Sequence, residues 1–248
     1  MDAVLPLLSL ESLIALVTLV SLEIVLGIDN IIFIAVLAGR LPEAQRERAR
    51  KLGIEIAVVS RIFLLLGLSW VMRLTQPLFE VMGRPLTGKD LILILGGSFL
   101  LAKATVEIHH KVEGAAEGTG PGKSVATLSG VLLQVFFVDV VFSLDSVITA
   151  VGMTPHVPLM IVAVLLSTAV MFFFSRPVVV FVERHPAVKL LALSFLLLIG
   201  VLLVAEGFGQ HVDKGYVYFA MAFALGIELL QLRMKKNLAR GEGSSASS

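Results

Sequence analysis

Polar residues recur at three matching positions of two segments that are otherwise mainly apolar. The segments read EIVLGIDNII from residue 23 and DVVFSLDSVI from residue 139, each with two acids six residues apart. Carboxylate, amide and hydroxyl oxygens are hard ligands that suit Mn²⁺, Ca²⁺ or Mg²⁺, whereas Zn²⁺ and Cu ions favour His and Cys. The segments therefore predict a divalent-cation site, and its candidate ligands are Glu23, Asp29, Asn30, Asp139, Asp145 and Ser146.

The two segments form an internal repeat with an offset of 116 residues. The first copy lies on the first predicted helix and the second copy on the fourth. Successive helices alternate in direction, so the two copies run in opposite directions across the bilayer. Inverted repeats of this kind are typical of secondary transporters, whose substrate site lies near the midplane where the halves meet. The repeat therefore predicts two inverted three-helix units that share one midplane site.

Acids inside apolar helices need partners, because each costs roughly 2.5–3.5 kcal/mol at the centre of a membrane helix. The four acids are expected to face water, a cation or each other, or to be structural and paired with Arg61 or Lys103. Arg61 is expected either to form such an ion pair or to stand in for the cation when the site is empty. Lys103 and Glu107 are further counter-ion or coupling candidates, although their spacing of four residues also predicts a simple pair.

The spacing of the acids has two consequences. Residues six apart on a regular helix point about 120° apart, so a shared ion would require the helices to loosen. We therefore predict breaks near residues 27–28 and 143–144, which are tolerated at that depth where they line a cavity. Four carboxylates also exceed what one divalent ion neutralises, so some are expected to be protonated and to couple ion movement to protons.

The surrounding elements are predicted to form an all-α membrane protein of about seven transmembrane helices, namely two inverted three-helix repeats plus a seventh helix. The sequence is 57% hydrophobic and 16% charged, with no cysteine. Its apolar runs approach the roughly 20 residues that cross a bilayer. The predicted spans are 10–38, 52–74, 90–108, 125–152, 157–181, 187–207 and 216–234.

These spans divide the chain into five predicted parts. Residues 1–108 hold the first repeat, 109–124 a cytoplasmic loop, 125–207 the second repeat, 208–236 the seventh helix and 237–248 a disordered tail. The seventh helix is expected to serve packing or dimerisation, so that a homodimer is one expected assembly. The lipid bilayer is the expected surrounding, and a net charge of +1 argues against nucleic acid as a partner.

Basic residues orient the predicted bundle. Most lie on the side of the loop after the first helix, and the opposite side carries only Arg73, Arg84, Lys89 and Lys214. The positive-inside rule then places the N-terminus outside and the C-terminus in the cytoplasm. No HExxH or GxSxG motif and no thiol occurs, and Ser146 lacks a histidine in its span, so an enzyme and a bound cofactor are not expected.

The motifs EIVLGIDNIIF and DVVFSLDSVITAVG resemble those of the TerC family of membrane proteins, and ERHPAVKLLALSFLLLIG resembles its branch of uncharacterised inner-membrane proteins. The resemblance covers about residues 10–236. It implies an integral protein of the plasma (inner) membrane that exports divalent metal, with manganese as the best-attested cargo. It also places the six candidate ligands in the family's intramembrane acidic motifs. The leading interpretation is Mn²⁺ export by alternating access. The alternatives are a Ca²⁺ or proton-coupled exchanger, and a non-transporting scaffold that aids protein maturation.

Overall fold

The computed structural model describes the backbone of residues 10–81, 83–113, 127–154, 156–210 and 213–245, and the side chains there except those of residues 26, 28, 29, 81 and 236–245. The described chain consists of eight helices and one short hairpin. In order these are α1 (Leu10–Ala38), α2 (Glu43–Leu66), α3 (Leu68–Arg73), β1 (Pro77–Val81), β2 (Arg84–Thr87), α4 (Gly88–Val112), α5 (Leu128–Met153), α6 (Val157–Arg184), α7 (Pro186–Gly207) and α8 (Lys214–Ser245).

The predicted all-α membrane fold is confirmed. Within the described ranges, six helices are long and apolar enough to cross a membrane, namely α1, α4, α5, α6, α7 and residues Lys214–Lys235 of α8. The second predicted span differs, because α2 begins at Glu43 in the charged segment and ends at Leu66, while α3 follows Gly67 as a separate short helix. The seventh crossing, which α2 would supply, stays a prediction.

Two features of the backbone were not expected from the sequence. The antiparallel hairpin β1–β2 connects α3 to α4, with Gly83 in its turn at φ 77°, a left-handed conformation that glycine adopts without steric cost. The predicted breaks near residues 27–28 and 143–144 are wrong, since α1 and α5 run as unbroken helices through both motifs.

Three helix pairs form the largest interfaces: α4 with α7, α1 with α6, and α2 with α5. In the predicted repeat, α1 corresponds to α5, α2 to α6, and α4 to α7. Exchange of the corresponding helices converts the α1–α6 pair into the α5–α2 pair and leaves the α4–α7 pair unchanged. This packing supports the inverted repeat, which stays a prediction. By contrast, α8 is largely exposed and contacts mainly α7.

Glycines on α4 allow it to approach two neighbouring helices closely. A Cβ at Gly97 of α4 would lie 2.7 Å from the carbonyl oxygen of Gly200 in α7, and a Cβ at Gly96 would lie 2.5 Å from Val141 of α5. Small residues allow membrane helices to approach this closely. The α4 glycine pair therefore permits packing on two sides, towards α7 and towards α5.

Candidate functional site

A cluster of buried polar side chains lies where α1, α2 and α5 meet, near the middle of α1 and α5. We call it the central cluster, and it consists of Glu23, Asn30, Ser60, Arg61, Asp139 and Ser143. Each of the six is buried, and Asp139 and Arg61 are only 1% and 2% exposed. Charged groups at such depth must be neutralised by partners or by an ion.

Arg61 holds the central cluster together through all three guanidinium nitrogens. Its Nε donates a hydrogen bond to Ser143 Oγ at 3.1 Å, and one terminal nitrogen forms an ion pair with Glu23 Oε2. The other terminal nitrogen lies 3.5 Å from Asp139 Oδ1. One positive charge is thus shared between two carboxylates that come from different helices.

Asp139 is the most heavily coordinated acid of the central cluster. Its Oδ1 accepts a hydrogen bond from Asn30 Nδ2 at 2.8 Å. Its Oδ2 accepts hydrogen bonds from Ser60 Oγ and from Ser143 Oγ, the latter at 3.3 Å. The carboxylate is therefore held by neutral donors on three helices in addition to Arg61.

Helix periodicity explains how these side chains converge. Asp139 and Ser143 are four residues apart on α5, and Glu23 and Asn30 are seven apart on α1, so each pair shares one helix face. Gly27 lies between Glu23 and Asn30, and a Cβ there would overlap the Met171 side chain of α6. A glycine at this position therefore lets α6 pack directly against the polar face of α1.

Two small cavities flank Arg61, each of about 10 Å³, close to the minimum that holds one water molecule. One is lined in part by Asn30 and Thr168, and the other in part by Glu23 and Ser146. The Thr168 hydroxyl is buried and has no hydrogen-bond partner within the described part of the chain. The cavities beside Arg61 are thus each large enough for about one water molecule, and Thr168 of α6 lines one of them.

A second group of charges lies at the end of the bundle where α4 and α8 begin and α5 and α7 end. We call it the lysine cluster, which consists of Lys89, Asp145, Glu206 and Lys214. Lys89 Nζ lies 3.0 Å from Asp145 Oδ1 and 3.3 Å from Glu206 Oε1. Lys214 pairs with Asp145 Oδ2 and lies 3.5 Å from Glu206 Oε2. Two ammonium groups thus bridge two carboxylates and balance their charge.

Hydrogen bonds at the starts of α4 and α8 fix the backbone that carries the two lysines. Thr87 and Asp90 form a reciprocal capping box at the start of α4, and Asp213 Oδ1 accepts a hydrogen bond from the Gly215 backbone N–H at 2.8 Å at the start of α8. Positive charge is disfavoured in the first turn of a helix by the helix dipole. The two carboxylates therefore supply the compensation that these lysines need.

The structure brings together only part of the predicted ligand set. Glu23, Asn30 and Asp139 converge, whereas Asp145 binds the two lysines instead of joining them. Ser146 is buried, but its hydroxyl donates to the Ser143 carbonyl at 3.3 Å. The Asp29 side chain lies outside the described residues. Among the side chains that are described, no three His, Cys, Asp or Glu residues are grouped as metal ligands.

The predicted counter-ions differ in the partners that the structure gives them. Arg61 forms ion pairs with two of the buried acids, Glu23 and Asp139. The expected pair of Lys103 with Glu107 is wrong, because Glu107 forms its ion pair with Arg40. Arg40 follows the C-terminal end of α1 and thereby reaches the last part of α4. This ion pair lies at the end of the bundle opposite the lysine cluster.

Sequence reasoning missed several of the contacting residues, although some signals were present. Ser60 directly precedes Arg61 in an apolar run, and Lys89 and Lys214 flank apolar helices at the same predicted membrane face. Long lysine side chains can reach along a helix surface to a buried acid. Glu206, whose role the sequence left open, pairs with both lysines.

Comparison with known proteins agrees with this architecture. The chain matches the model of the integral membrane protein TerC family over residues 8–242. It is 49% identical over 226 residues to a UPF0053 protein of Haemophilus influenzae, covering 91% of this chain and 95% of that protein. It is 51% identical over 224 residues to the UPF0053 inner membrane protein YgdQ of Escherichia coli K12, covering 90% and 94%.

A longer relative matches equally well. The chain is 50% identical over 229 residues to the UPF0053 inner membrane protein YoaE of Escherichia coli K12, which covers 92% of this chain but 44% of YoaE. No solved structure matches the chain. The family match extends over nearly the whole length, including both acidic motifs, helices α1 to α7 and all but the last three residues of α8. The chain therefore belongs to the TerC family of integral membrane proteins.

Proposed function

We propose that this protein exports divalent metal cations, with Mn²⁺ as the preferred cargo, from the cytoplasm across the inner membrane. The observation that carries the proposal is the central cluster, in which one arginine is shared between two buried carboxylates where α1, α2 and α5 meet. The names of the relatives YgdQ and YoaE as inner membrane proteins support the location. The distribution of basic residues supports an outside N-terminus and a cytoplasmic C-terminus.

The charge of the central cluster favours a cation as cargo. When both are ionised, Glu23 and Asp139 carry two negative charges, and Arg61 supplies one positive charge close to both. If Arg61 moved away, the two acids would be unpaired in an apolar core, which is costly unless a cation replaces the guanidinium. A divalent ion would neutralise both acids. Arg61 then occupies the place of the cargo in the empty state.

The donor atoms favour a hard ion. The central cluster offers carboxylate oxygens, the Asn30 amide and the hydroxyls of Ser60 and Ser143. Thr168, whose hydroxyl has no hydrogen-bond partner among the described residues, lines the adjacent cavity. Oxygen-only sets suit Mn²⁺, Mg²⁺ and Ca²⁺. The family resemblance selects Mn²⁺ among these three, and Asp29 is the further ligand that the repeat predicts.

Ion pairs at the two ends of the bundle supply the gates that alternating access requires. The lysine cluster connects α4, α5, α7 and α8 at one end. At the other end, Arg40 pairs with Glu107, and Arg46 lies 3.4 Å from Glu183. We propose that the cargo leaves the central cluster when the lysine cluster opens. Asp145 then receives the ion after Lys89 and Lys214 have moved away.

The test is cation uptake into inside-out vesicles that contain the purified full chain. Mn²⁺, Ca²⁺, Mg²⁺ and Zn²⁺ are compared, with Asp139→Asn as the site variant and Glu80→Asp in the exposed hairpin as the control. We expect saturable Mn²⁺ uptake that is lost in Asp139→Asn and kept in the control. Preference for Ca²⁺ would establish an exchanger for another cation, and no uptake of any ion by folded protein would reject export.

Proton coupling is tested in the same vesicles. Replacement of the Arg61 charge by a divalent ion changes the charge of the central cluster, and a carboxylate can compensate by taking up or releasing a proton. Collapse of an imposed proton gradient should therefore slow Mn²⁺ uptake. An uptake rate that is the same with and without the gradient would reject coupling while leaving export intact.

A further inference from the structure

A methionine sulphur lies beside the central cluster on the side of α6. The Sδ atom of Met171 is the first atom that a Cβ at Gly27 would meet, so it packs on the backbone of α1. Gly27 lies about one helical turn from both Glu23 and Asn30. Met171 is only 8% exposed. The sulphur is therefore enclosed within the bundle, close to two residues of the central cluster.

Met171 also lines one of the two small cavities beside Arg61. The other polar residues around this cavity are Asn30 and Thr168. The rest of its lining is apolar and consists of Ile31, Ile34, Ile54 and Ala57. Asn30 in turn donates a hydrogen bond to Asp139 Oδ1 at 2.8 Å. Met171 therefore borders the space next to the guanidinium and next to a hydrogen-bond donor of the buried acid.

The predicted repeat gives Met171 the position that Arg61 has in the other half. Ser143 follows Gly27 by the offset of 116 residues that relates the two motifs. Arg61 of α2 donates a hydrogen bond to Ser143 Oγ at 3.1 Å, and Met171 of α6 contacts Gly27. One half of the protein thus places a cation against its acidic motif, whereas the other half places a thioether there.

A thioether differs in chemistry from the oxygen donors of the central cluster. Ca²⁺ and Mg²⁺ take oxygen ligands, whereas the soft sulphur of methionine favours transition-metal ions. Mn²⁺ is the transition-metal ion among the three cations that suit the oxygen donors. A sulphur beside the place of the guanidinium would therefore favour Mn²⁺ over Ca²⁺ and over Mg²⁺.

We propose that Met171 determines the cation selectivity of the site by placing its thioether sulphur next to the cation that replaces the Arg61 guanidinium. The sulphur disfavours Ca²⁺ and Mg²⁺, and it favours Mn²⁺ and, more strongly, the softer ion Cd²⁺. This inference rests on the proposed export function, because it concerns the same site. It is tested through cation binding, which does not depend on transport.

The test is competitive binding of Mn²⁺ to the detergent-purified full chain, followed by the electron paramagnetic resonance signal of free Mn²⁺, with Ca²⁺ and Cd²⁺ as competitors. Met171→Leu removes the sulphur at similar volume, a change that protein cores tolerate well. Met221→Leu on α8 is the matched control at the same 8% exposure. Met171→Leu should lower the preference for Mn²⁺ over Ca²⁺ about tenfold and weaken competition by Cd²⁺, whereas Met221→Leu should change neither.

An oxygen donor at position 171 keeps the test independent of folding. Met171→Gln places an amide oxygen at a similar reach, so this variant should bind Ca²⁺ more tightly than the wild type, a gain that misfolding does not produce. If the wild type binds Mn²⁺ and Met171→Leu keeps the wild-type preference, Met171 only fills space and the proposal is overturned. Absence of Mn²⁺ binding by the wild type would instead reject the proposed function, and this inference with it.

Discussion

Replacement of Arg61 by methionine should strongly destabilise the protein, because it leaves Glu23 and Asp139 buried without their shared cation. Removal of one partner from a buried ion pair typically costs about 3–5 kcal/mol. For a protein of this size, each 1 kcal/mol changes the melting temperature by about 2–4 °C. Arg61→Met should therefore lower the melting temperature by about 6–20 °C, whereas Arg73→Met, at an exposed position, should have little effect.

Neutralisation of the two acids should reverse this loss. The triple variant Glu23→Gln, Arg61→Met, Asp139→Asn removes all three charges and keeps the side-chain volumes similar. Buried ionic groups can often be replaced in this way at little cost. The measurement is the monodisperse fraction of detergent-purified protein after heating, for the wild type, the single variant and the triple variant.

Mn²⁺ should stabilise Arg61→Met more than the wild type, since in the wild type the ion must displace the guanidinium. Binding at 100 times the dissociation constant contributes about 2.7 kcal/mol, or about 5–11 °C. NaCl at equal ionic strength is the control. A single variant as stable as the wild type, or a triple variant no more stable than the single one, would refute the assigned ion pairs. Equal effects of Mn²⁺ and NaCl would refute the idea that Arg61 occupies the place of the cargo.

Three further substitutions test the packing and the lysine cluster by the same thermal assay. Gly27→Ala should destabilise the protein by about 1–3 kcal/mol, because the added methyl group overlaps Met171. In the double variant with Met171→Ala, the two losses should be coupled by about 0.5–3 kcal/mol. Additive losses would contradict the contact. Gly97→Leu should separate α4 from α7 and cost at least as much as Gly27→Ala, and an unchanged melting temperature would contradict their close approach. Asp145→Asn should lower the free energy of unfolding by about 1.5–3 kcal/mol, because it weakens the bonds of this side chain to Lys214 and its neighbours. Addition of Lys214→Met should restore part of that free energy. No recovery would contradict the pairing.

Local sequence signals predicted most of the helices. Apolar runs bounded by Pro and Gly predicted α1, α6 and α7 to within a few residues of their observed ends. The start of α2 was missed because its first turns are charged and carry no membrane signal. The hairpin was missed because its two strands are short, and short strands have no pattern that is distinct from a loop.

The partners of the buried acids could be predicted only in part. The acids need a positive partner because an unpaired charge in an apolar helix is costly, and Arg61 is a cation within such a predicted helix. The wrong prediction of broken helices assumed that Asp139 and Asp145 share one ion. The structure gives them separate partners on two sides of a regular α5, so their 120° separation requires no break. Which cation reaches which acid depends on tertiary packing and is not encoded in spacing.

The central claim is that the cargo passes through the central cluster, and the most direct test is a matched pair of glutamate variants in the vesicle assay. Glu23→Gln removes a buried carboxylate of the cluster, whereas Glu80→Gln makes the same chemical change in the exposed hairpin. We predict that Glu23→Gln abolishes Mn²⁺ uptake by folded protein and that Glu80→Gln keeps the wild-type rate. Wild-type uptake by Glu23→Gln would contradict the claim and show that the cation takes another path.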